Sequence, residues 1–252
     1  MTTTVLALFN QAGGVGKTTL TMNLGYHLAQ RGHPVLLLDM DPQGSLTAFM
    51  GLEPDDLGKT IYDAIISEQP LPILAGLHGM DLVPANIGLS AAELQLVNME
   101  YREVRLQEAL DPVRDQYRFI LIDCPPSLGL LSYLSLVAST HILVPVETHF
   151  KAFKGTDLLL ETVARIRKRG NPRLQLAGFV PTRYASTNSQ DKRTLAAIQE
   201  QFAPAGRIFP AIPRTTALVD ASEQQVPLAL HHRHHPVVSL FEALSADLER
   251  LS

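Results

Sequence analysis

Short apolar runs alternate along the chain with longer segments in which apolar residues recur every three or four positions. The apolar runs predict strands at residues 5–9, 35–38, 81–84, 119–122, 141–146, 174–181 and 207–209. The longer periodic segments predict helices at residues 18–30, 90–97, 102–114, 130–137, 153–168, 189–202, 215–223 and 236–251. This alternation predicts an α/β fold, a mostly parallel twisted sheet with helices on both faces.

Length and composition favour one domain over two. The chain has 252 residues, 46% of them hydrophobic, so we expect a single domain over residues 1–252. No apolar run is long enough to cross a bilayer, and the first residues lack a signal-peptide pattern, so we expect a cytoplasmic protein without a membrane partner. The one cysteine, Cys124, excludes an internal disulfide and a Cys-ligated iron–sulfur cluster.

The net charge of −4 is unevenly distributed. Acidic residues outnumber basic ones before residue 150, and basic residues outnumber acidic ones after it. The basic excess is typical of a surface that binds nucleic acid, although solvated helix faces would produce the same balance.

Residues 10–19, which read Asn-Gln-Ala-Gly-Gly-Val-Gly-Lys-Thr-Thr, lie between the first predicted strand and the first predicted helix. Such glycines let backbone N–H groups turn inward around a polyphosphate, and the lysine that follows reaches the terminal phosphates. A glycine-rich turn without a ligand is the alternative. The loop predicts nucleotide contacts from Gly13, Gly14, Val15, Gly16, Lys17, Thr18 and Thr19.

Carboxylates follow two other predicted strands. Asp39 and Asp41 lie at positions i and i+2, on one face of a strand end, where two carboxylates repel unless a cation or a positioned water needs them. Asp123 follows the strand 119–122, and with the Thr18 hydroxyl it is a candidate Mg²⁺ ligand. Cys124 beside it has no base near it in sequence, which argues against a nucleophile.

The loop resembles the deviant Walker A box of the ParA/MinD family of ATPases, and Asp39-Met40-Asp41-Pro42-Gln43-Gly44 and Asp123-Cys124-Pro125-Pro126-Ser127 resemble its two switches. The resemblance implies a P-loop NTPase fold with ATP and Mg²⁺ as cofactors, and a slow hydrolysis that a partner stimulates. It assigns Lys17 to catalysis, makes Asp41 the catalytic base or water-orienting residue, and makes Asp39 a supporting residue.

Ala12 stands where that family carries its signature lysine. In the family, this lysine crosses the face of an ATP-sandwich dimer to the partner's phosphates. We therefore expect another cation in its place, Lys151 first and Lys154 second, because lysines at a predicted helix start oppose the helix dipole unless an anion lies nearby. The alternative is that both lysines are simply solvated.

The C-terminal third also resembles the family. Ala211-Ile212-Pro213-Arg214 is similar to its I-P-R box, which makes Pro213 and Arg214 candidate adenine contacts by resemblance. Candidate phosphate contacts to DNA, chosen for charge and location, are Arg183, Lys192, Arg193 and Arg207. Ala217 departs from relatives that carry an arginine for DNA after this box. His231, His232, His234 and His235 favour a solvated loop over a metal site, because no cysteine or carboxylate accompanies them.

The resemblance implies a positioning ATPase. Such a protein forms a homodimer on ATP, holds non-specific nucleoid DNA, and is released by a small cargo adaptor of the McdB or ParB kind. Because the signature lysine is absent, the chain most resembles the branch that spaces carboxysomes (McdA), where that lysine is also absent. Plasmid or chromosome segregation is the alternative function. A metabolic P-loop enzyme stays open, and a MinD-like membrane cycle is disfavoured by the acidic residues Asp247 and Glu249 in the tail.

Overall fold

Seven strands form one sheet in the computed structural model, which describes residues 2–149 and 156–251. The strands are β1 (Thr4–Leu8), β2 (Val35–Asp39), β3 (Leu74–Leu77), β4 (Met80–Val83), β5 (Phe119–Asp123), β6 (His141–Glu147) and β7 (Gln175–Thr182). Their order is β3-β4-β2-β5-β1-β6-β7, and every neighbouring pair is parallel except β3 with β4. The predicted α/β class and mostly parallel sheet are confirmed.

The central strands are buried on both faces, as their unbroken apolar sequences require. Val5 and Ala7 of β1 point into one hydrophobic layer, whereas Leu6 and Leu8 point into the layer on the other face. Because side chains alternate along a strand, one sheet serves both cores.

Helices cover both faces of the sheet. They are α1 (Lys17–Gln30) and the helices Ser45–Phe49, Ile61–Ser67, Leu89–Leu96, Arg105–Leu110, Leu130–Ala138, Thr156–Arg169, Ser189–Phe202, Thr216–Glu223, Leu228–His231 and Pro236–Leu248. Gly25 lets α1 approach the sheet, since a Cβ there would lie 2.6 Å from Leu37 Cδ2. The last helix packs on α1, where the rings of His27 and Phe241 stack with centroids 6.3 Å apart.

One predicted strand is absent, and one predicted helix is wrong in extent. Residues 207–209 form no strand: Ile208 makes a single bridge to Phe179, and Pro210 next along the chain has no N–H to continue a ladder. The helix predicted over 102–114 is a 3₁₀ turn, Arg102–Val104, followed by a helix that ends at Leu110, two residues before Pro112. A proline ring clashes with the carbonyl four residues earlier, so the helix stops there.

Several short elements were not predicted from the sequence pattern. Strand β3 and the helices Ser45–Phe49 and Ile61–Ser67 have too few residues for a periodicity to emerge. Among the helices whose caps the structure describes, only Ile61–Ser67 has a capping box, which Thr60 and Asp63 form.

Strand register brings the chemical residues to one edge of the sheet. Asp123 at the end of β5 is the partner of Leu8 in β1 and of Asp39 in β2. The loop that follows Leu8, the carboxylates after β2 and the carboxylate after β5 therefore meet at the carboxyl ends of adjacent strands, where open α/β sheets bind ligands.

Across residues 2–149 and 156–251, no helix has both the length and the apolar character that crossing a bilayer requires.

Candidate nucleotide-binding site

The loop between β1 and α1 is shaped by its own side chains. Gly14 and Gly16 have φ angles of 73° and 92°, in the left-handed region that favours glycine. Asn10 Oδ1 accepts a 2.9 Å hydrogen bond from Ala12 N, and its Nδ2 donates to Pro145 O at 2.7 Å. The loop is thereby curved and anchored to β6 before any ligand is considered.

Lys17 is the first residue of α1 and reaches back across the loop. Its Nζ donates 3.0 Å hydrogen bonds to Asn10 O and Ala12 O, and the residue is 6% exposed. Burial lowers the pKa of Lys17, and the nearby negative charge of Asp123 opposes that effect. The ammonium group thus lies inside the curve of the loop, where a phosphate chain would need positive charge.

Thr18 and Asp123 form the predicted metal-binding pair. Thr18 Oγ1 donates a 2.7 Å hydrogen bond to Asp123 Oδ2, while Asp123 Oδ1 is buried with no hydrogen-bond partner among the described residues. Burial first, and then the charge of Asp39, raises the pKa of Asp123 well above its usual value. A hydroxyl and a carboxylate with one unsatisfied oxygen are oxygen donors of the kind that Mg²⁺ binds, so the residues fit this metal.

Asp39 is a fully buried brace. Its Oδ2 accepts hydrogen bonds from Thr47 N at 2.9 Å and Thr47 Oγ1 at 2.8 Å, and its Oδ1 accepts from Asp41 N at 3.1 Å. Burial raises the pKa of Asp39 to about 6 despite these bonds. Because each carboxylate oxygen already accepts a hydrogen bond from its own segment, Asp39 supports the segment after β2.

Asp41 lies on the more open side of the same segment. Its Oδ1 accepts a 3.0 Å hydrogen bond from Gln43 N, and the residue is partly exposed. Asp41 is also close enough for its charge to affect Lys17 and Asp123. The Asp41 carboxylate can therefore still accept hydrogen bonds beside the phosphate loop, as a general base or a water-orienting group must.

A cavity of about 640 Å³ extends from the loop to the C-terminal part of the chain. Gly14, Gly16 and Thr19 line one end of it. The rest is lined by Leu20, Phe49, Thr182, Arg183, Ile212, Pro213, Arg214, Thr215, Thr216, Leu218, Val219, Ser222, Glu223 and Phe241. The size and the apolar wall suit an adenine nucleotide whose phosphates lie on the loop, and Pro213 and Arg214 are where the resemblance expects the base.

Arg183 lies at the phosphate loop. It follows β7 with a φ of 55°, and its Nη1 donates a 3.0 Å hydrogen bond to Gly14 O. Its Nε is 3.5 Å from Glu147 Oε1. The preceding residue, Thr182, also holds the loop, because its Oγ1 donates to Val15 O at 2.8 Å.

The other candidate cations lie elsewhere. Lys192 and Arg193 are exposed on the helix Ser189–Phe202. Arg207 forms a 2.5 Å ion pair with Asp247 and stacks on the Phe209 ring, so its charge is compensated within the chain. Lys151 and Lys154 lie outside the described residues.

Cys124 and the histidines carry no separate chemistry. Burial, followed by the charge of Asp123, raises the pKa of the Cys124 thiol to about 12, so the thiolate needed for nucleophilic attack is not formed at neutral pH. His235 accepts from Val237 N at the start of the last helix, and His231 ends a short helix. Within the described ranges, no three His, Cys, Asp or Glu side chains are grouped to hold a metal.

A family model described as an AAA domain (AAA_31) matches residues 3–176. The sporulation initiation inhibitor protein Soj of Bacillus subtilis is 36% identical over 231 residues, which are 90% of this chain and 90% of Soj. The chromosome partitioning protein ParA of Caulobacter vibrioides is 36% identical over 233 residues, 90% of this chain and 86% of that protein. The chain belongs to the ParA/MinD family of P-loop ATPases.

Similar structures in this family's fold contain nucleotide. Cobyrinic acid a,c-diamide synthase from Mycobacterium smegmatis, with a bound ATP analog and magnesium, has a TM-score of 0.89 at 32% identity and covers 98% of this chain and 94% of its own. An ATP complex of McdA from Cyanothece has a TM-score of 0.88 at 28% identity, covering 98% and 96%. An uncharacterized protein of Mycobacterium tuberculosis (strain H37Rv) is 45% identical over 202 residues, but this chain spans 64% of its length.

Three supporting residues of this ParA/MinD-type site were missed from sequence. Thr47 links Asp39 to the segment that follows β4, since its hydroxyl also accepts a 3.0 Å hydrogen bond from Ala85 N. Thr182, at the end of β7, donates a hydrogen bond to Val15 of the loop. Glu147, at the end of β6, lies beside the Arg183 guanidinium. The last two follow apolar runs at the carboxyl ends of predicted strands, and that position was the available signal.

Proposed function

We propose that the protein is a positioning ATPase that hydrolyses ATP to ADP and phosphate and changes its association state with the nucleotide. The observation that carries the proposal is the Thr18–Asp123 pair with its unsatisfied oxygen, at the start of the helix whose first residue is Lys17. Thr18 and Asp123 would hold Mg²⁺, which supplies charge neutralisation on the phosphates. Lys17 would bind the terminal phosphates and Asp41 would orient water.

A homodimer closed over ATP accounts for the exposed side of the loop. Gly13 and Gly14 are exposed in a loop whose other residues are partly or wholly buried. Side-chain-free backbone at a surface permits close approach of a second polypeptide. The family resemblance supports the same arrangement, with Lys151 as the cation that reaches the partner's phosphates in place of Ala12.

Non-specific DNA is the proposed track for the dimer. Lys192 and Arg193 support it best, because both are exposed on one helix and neither is joined to a carboxylate by an ion pair in the part of the chain the structure describes. Arg207 supports it least, because Asp247 compensates its charge. Contacts of this kind read phosphate charge and carry no sequence information, which suits a nucleoid-wide track.

Two cargoes fit the proposed cycle. The absent lysine at Ala12 and the similarity to McdA support carboxysomes, with an adaptor like McdB. The 36% identity to Soj and ParA supports plasmid or chromosome segregation, with an adaptor like ParB. In both cases, the adaptor would stimulate hydrolysis and release the dimer from DNA.

Light scattering after size exclusion tests the cycle directly, without nucleotide and with ATP–Mg²⁺, paired with retention of non-specific DNA on the same samples. We expect a dimer only with ATP, and DNA retention only by that dimer, falling steeply with salt. The double variant Lys192→Gln/Arg193→Gln should still dimerise while losing retention. A nucleotide-indifferent monomer that ignores DNA would refute the proposal.

A metabolic P-loop enzyme is the second candidate, favoured by the similarity to a protein described as cobyrinic acid a,c-diamide synthase. In that case the protein would turn over a small acid. Turnover that depends on an added acid, in a protein that stays monomeric and does not retain DNA, would favour this candidate.

A further inference from the structure

We propose that Arg183 is a phosphate-binding residue of the nucleotide site, supplying positive charge at the outer edge of the phosphate loop. The proposal deepens the proposed function and rests on its nucleotide-binding step. It replaces the role in DNA contact that sequence reasoning gave to this arginine.

The guanidinium group already lies on the phosphate loop. Arg183 Nη1 is 3.0 Å from Gly14 O, and Arg183 lines the same cavity as Gly14 and Gly16. A carbonyl is a neutral acceptor, whereas a phosphate oxygen is a charged one that forms a shorter and stronger bond with a guanidinium. In the proposal, a phosphate oxygen replaces Gly14 O as the acceptor of this hydrogen bond.

The positive charge of Arg183 is incompletely compensated. Its neighbouring carboxylate is Glu147, at 3.5 Å from Nε, and the two side chains are 43% and 30% exposed. Arg207 differs, because its 2.5 Å pair with Asp247 and its stacking on Phe209 fix the charge in place. Of these two arginines, Arg183 is therefore the one free to bind an anion at the loop.

The backbone of Arg183 is held in a conformation that arginine rarely adopts. Its φ is 55°, in the left-handed region. The flanking residues prevent relaxation, since Tyr184 N donates to Ile212 O at 3.1 Å and Thr182 Oγ1 donates to Val15 O at 2.8 Å. Backbone strain that neighbouring contacts maintain is concentrated at ligand clamps, and here it directs a long cationic side chain to the loop.

Nucleotide titrations of purified full-length variants test the proposal. Arg183→Asn removes the charge and tolerates the left-handed backbone, whereas Arg183→Lys keeps the charge. Arg173→Asn is the matched control, because Arg173 is an exposed arginine that precedes β7 as Arg183 follows it. The probes are a non-hydrolysable ATP analog and ADP, each with Mg²⁺, alongside thermal unfolding without nucleotide.

We expect Arg183→Asn to lose about tenfold in affinity for the ATP analog, and Arg183→Lys to lose about threefold or less. Arg173→Asn should bind as the wild type does, and unfolding without nucleotide should be unchanged in all three. Wild-type affinity in Arg183→Asn would overturn the proposal. Equal losses in Arg183→Asn and Arg183→Lys, with a lower unfolding temperature, would also overturn it by making Arg183 a brace for Gly14.

The same samples separate this proposal from the proposed function. A wild type that binds ATP but neither dimerises nor retains DNA refutes the positioning cycle, while the affinity ratio still tests Arg183. Unchanged nucleotide affinity with lost DNA retention in Arg183→Asn would return the residue to the DNA surface and refute the proposal made here.

Discussion

Thr18 and Asp123 are 105 positions apart in the chain, yet Thr18 Oγ1 donates a 2.7 Å hydrogen bond to Asp123 Oδ2. The contact joins the first turn of α1 to the end of β5. It uses one carboxylate oxygen and leaves the other buried without a partner within the described part of the chain. An unsatisfied buried carboxylate oxygen lowers stability, and the Mg²⁺ proposed for this site would satisfy it.

Asp123→Asn should separate stability from activity. Removing the negative charge removes the desolvation cost of burying it and its repulsion with Asp39. The free energy of unfolding without nucleotide should therefore rise by about 1 kcal/mol. The amide is a poor Mg²⁺ ligand, and Mg²⁺-dependent ATP hydrolysis should fall at least about tenfold. Denaturant unfolding and a Mg²⁺ titration of hydrolysis measure the two effects.

Asp115→Asn is the control for that experiment, since Asp115 is an exposed aspartate before the same strand. It should match the wild type in both measurements. A Mg²⁺ dependence in Asp123→Asn that matches the wild type would remove Asp123 from the metal site.

Thr47→Val should destabilise the protein by about 1–3 kcal/mol. Valine keeps the volume of threonine but loses the hydroxyl that donates to Asp39 at 2.8 Å and accepts from Ala85 N at 3.0 Å. Thr47→Ser keeps both bonds and loses one methyl group, so it should lose about 1 kcal/mol or less. Equal unfolding free energies for the two variants would contradict a bracing role for the hydroxyl.

Asp39 should make stability depend on pH between about 4 and 6. Its pKa is about 6 in the folded protein, above its ordinary value of about 3.9 in an unfolded chain, so the folded state binds the proton more tightly. The stabilisation is complete below about pH 4 and is lost as the pH rises through about 6.

The measurement is the free energy of unfolding of the wild type minus that of Asp39→Asn, across this range. We expect it to fall by roughly 1–3 kcal/mol from about pH 4 to about pH 7 and then stay level. The decrease belongs to the Asp39–Asp123 pair, because the two carboxylates interact. A difference that rises with pH would reverse the assigned sign.

Lys151→Ala should weaken ATP-dependent dimerisation or slow turnover, by about tenfold or more, while leaving the fold intact. The reason is the charge that Ala12 does not provide at the phosphates. Ala12→Lys added to that variant should restore part of the loss. Scattering and phosphate release measure both effects, and an unchanged dimer and rate in Lys151→Ala would sink the assignment.

The parallel sheet was predictable because its strands are nearly continuous apolar runs, as at residues 5–9 and 119–122, and continuous burial requires such sequences. The phosphate loop was predictable because its signal lies in consecutive residues. The glycines permit the turn of the backbone, and Lys17 is the first residue of α1. The single-domain expectation for residues 1–252 and the roles of Lys17, Asp41 and Asp123 stay predictions.

The contacts of Asp39 and Arg183 could not be predicted from sequence, although the family resemblance makes Asp39 a supporting residue. Asp39 is a brace because Thr47, eight residues later, donates two hydrogen bonds to it, and no local pattern indicates that contact. Arg183 had charge and a C-terminal location in common with Lys192 and Arg193, and only the approach of β7 to Gly14 distinguishes it. Long-range contacts of single polar side chains leave no periodic signal.

Phe241 belongs to the helix Pro236–Leu248, stacks with His27 of α1 and also lines the nucleotide cavity. Nucleotide binding in the cavity and docking of this helix on α1 are therefore coupled equilibria, and one coupling free energy acts on both. A nucleotide at about a hundred times its dissociation constant would protect the docked helix by about 2.7 kcal/mol, which amide hydrogen exchange along Pro236–Leu248 would report. By the same reciprocity, loosening the helix from α1 would weaken nucleotide binding without altering a single residue of the phosphate loop.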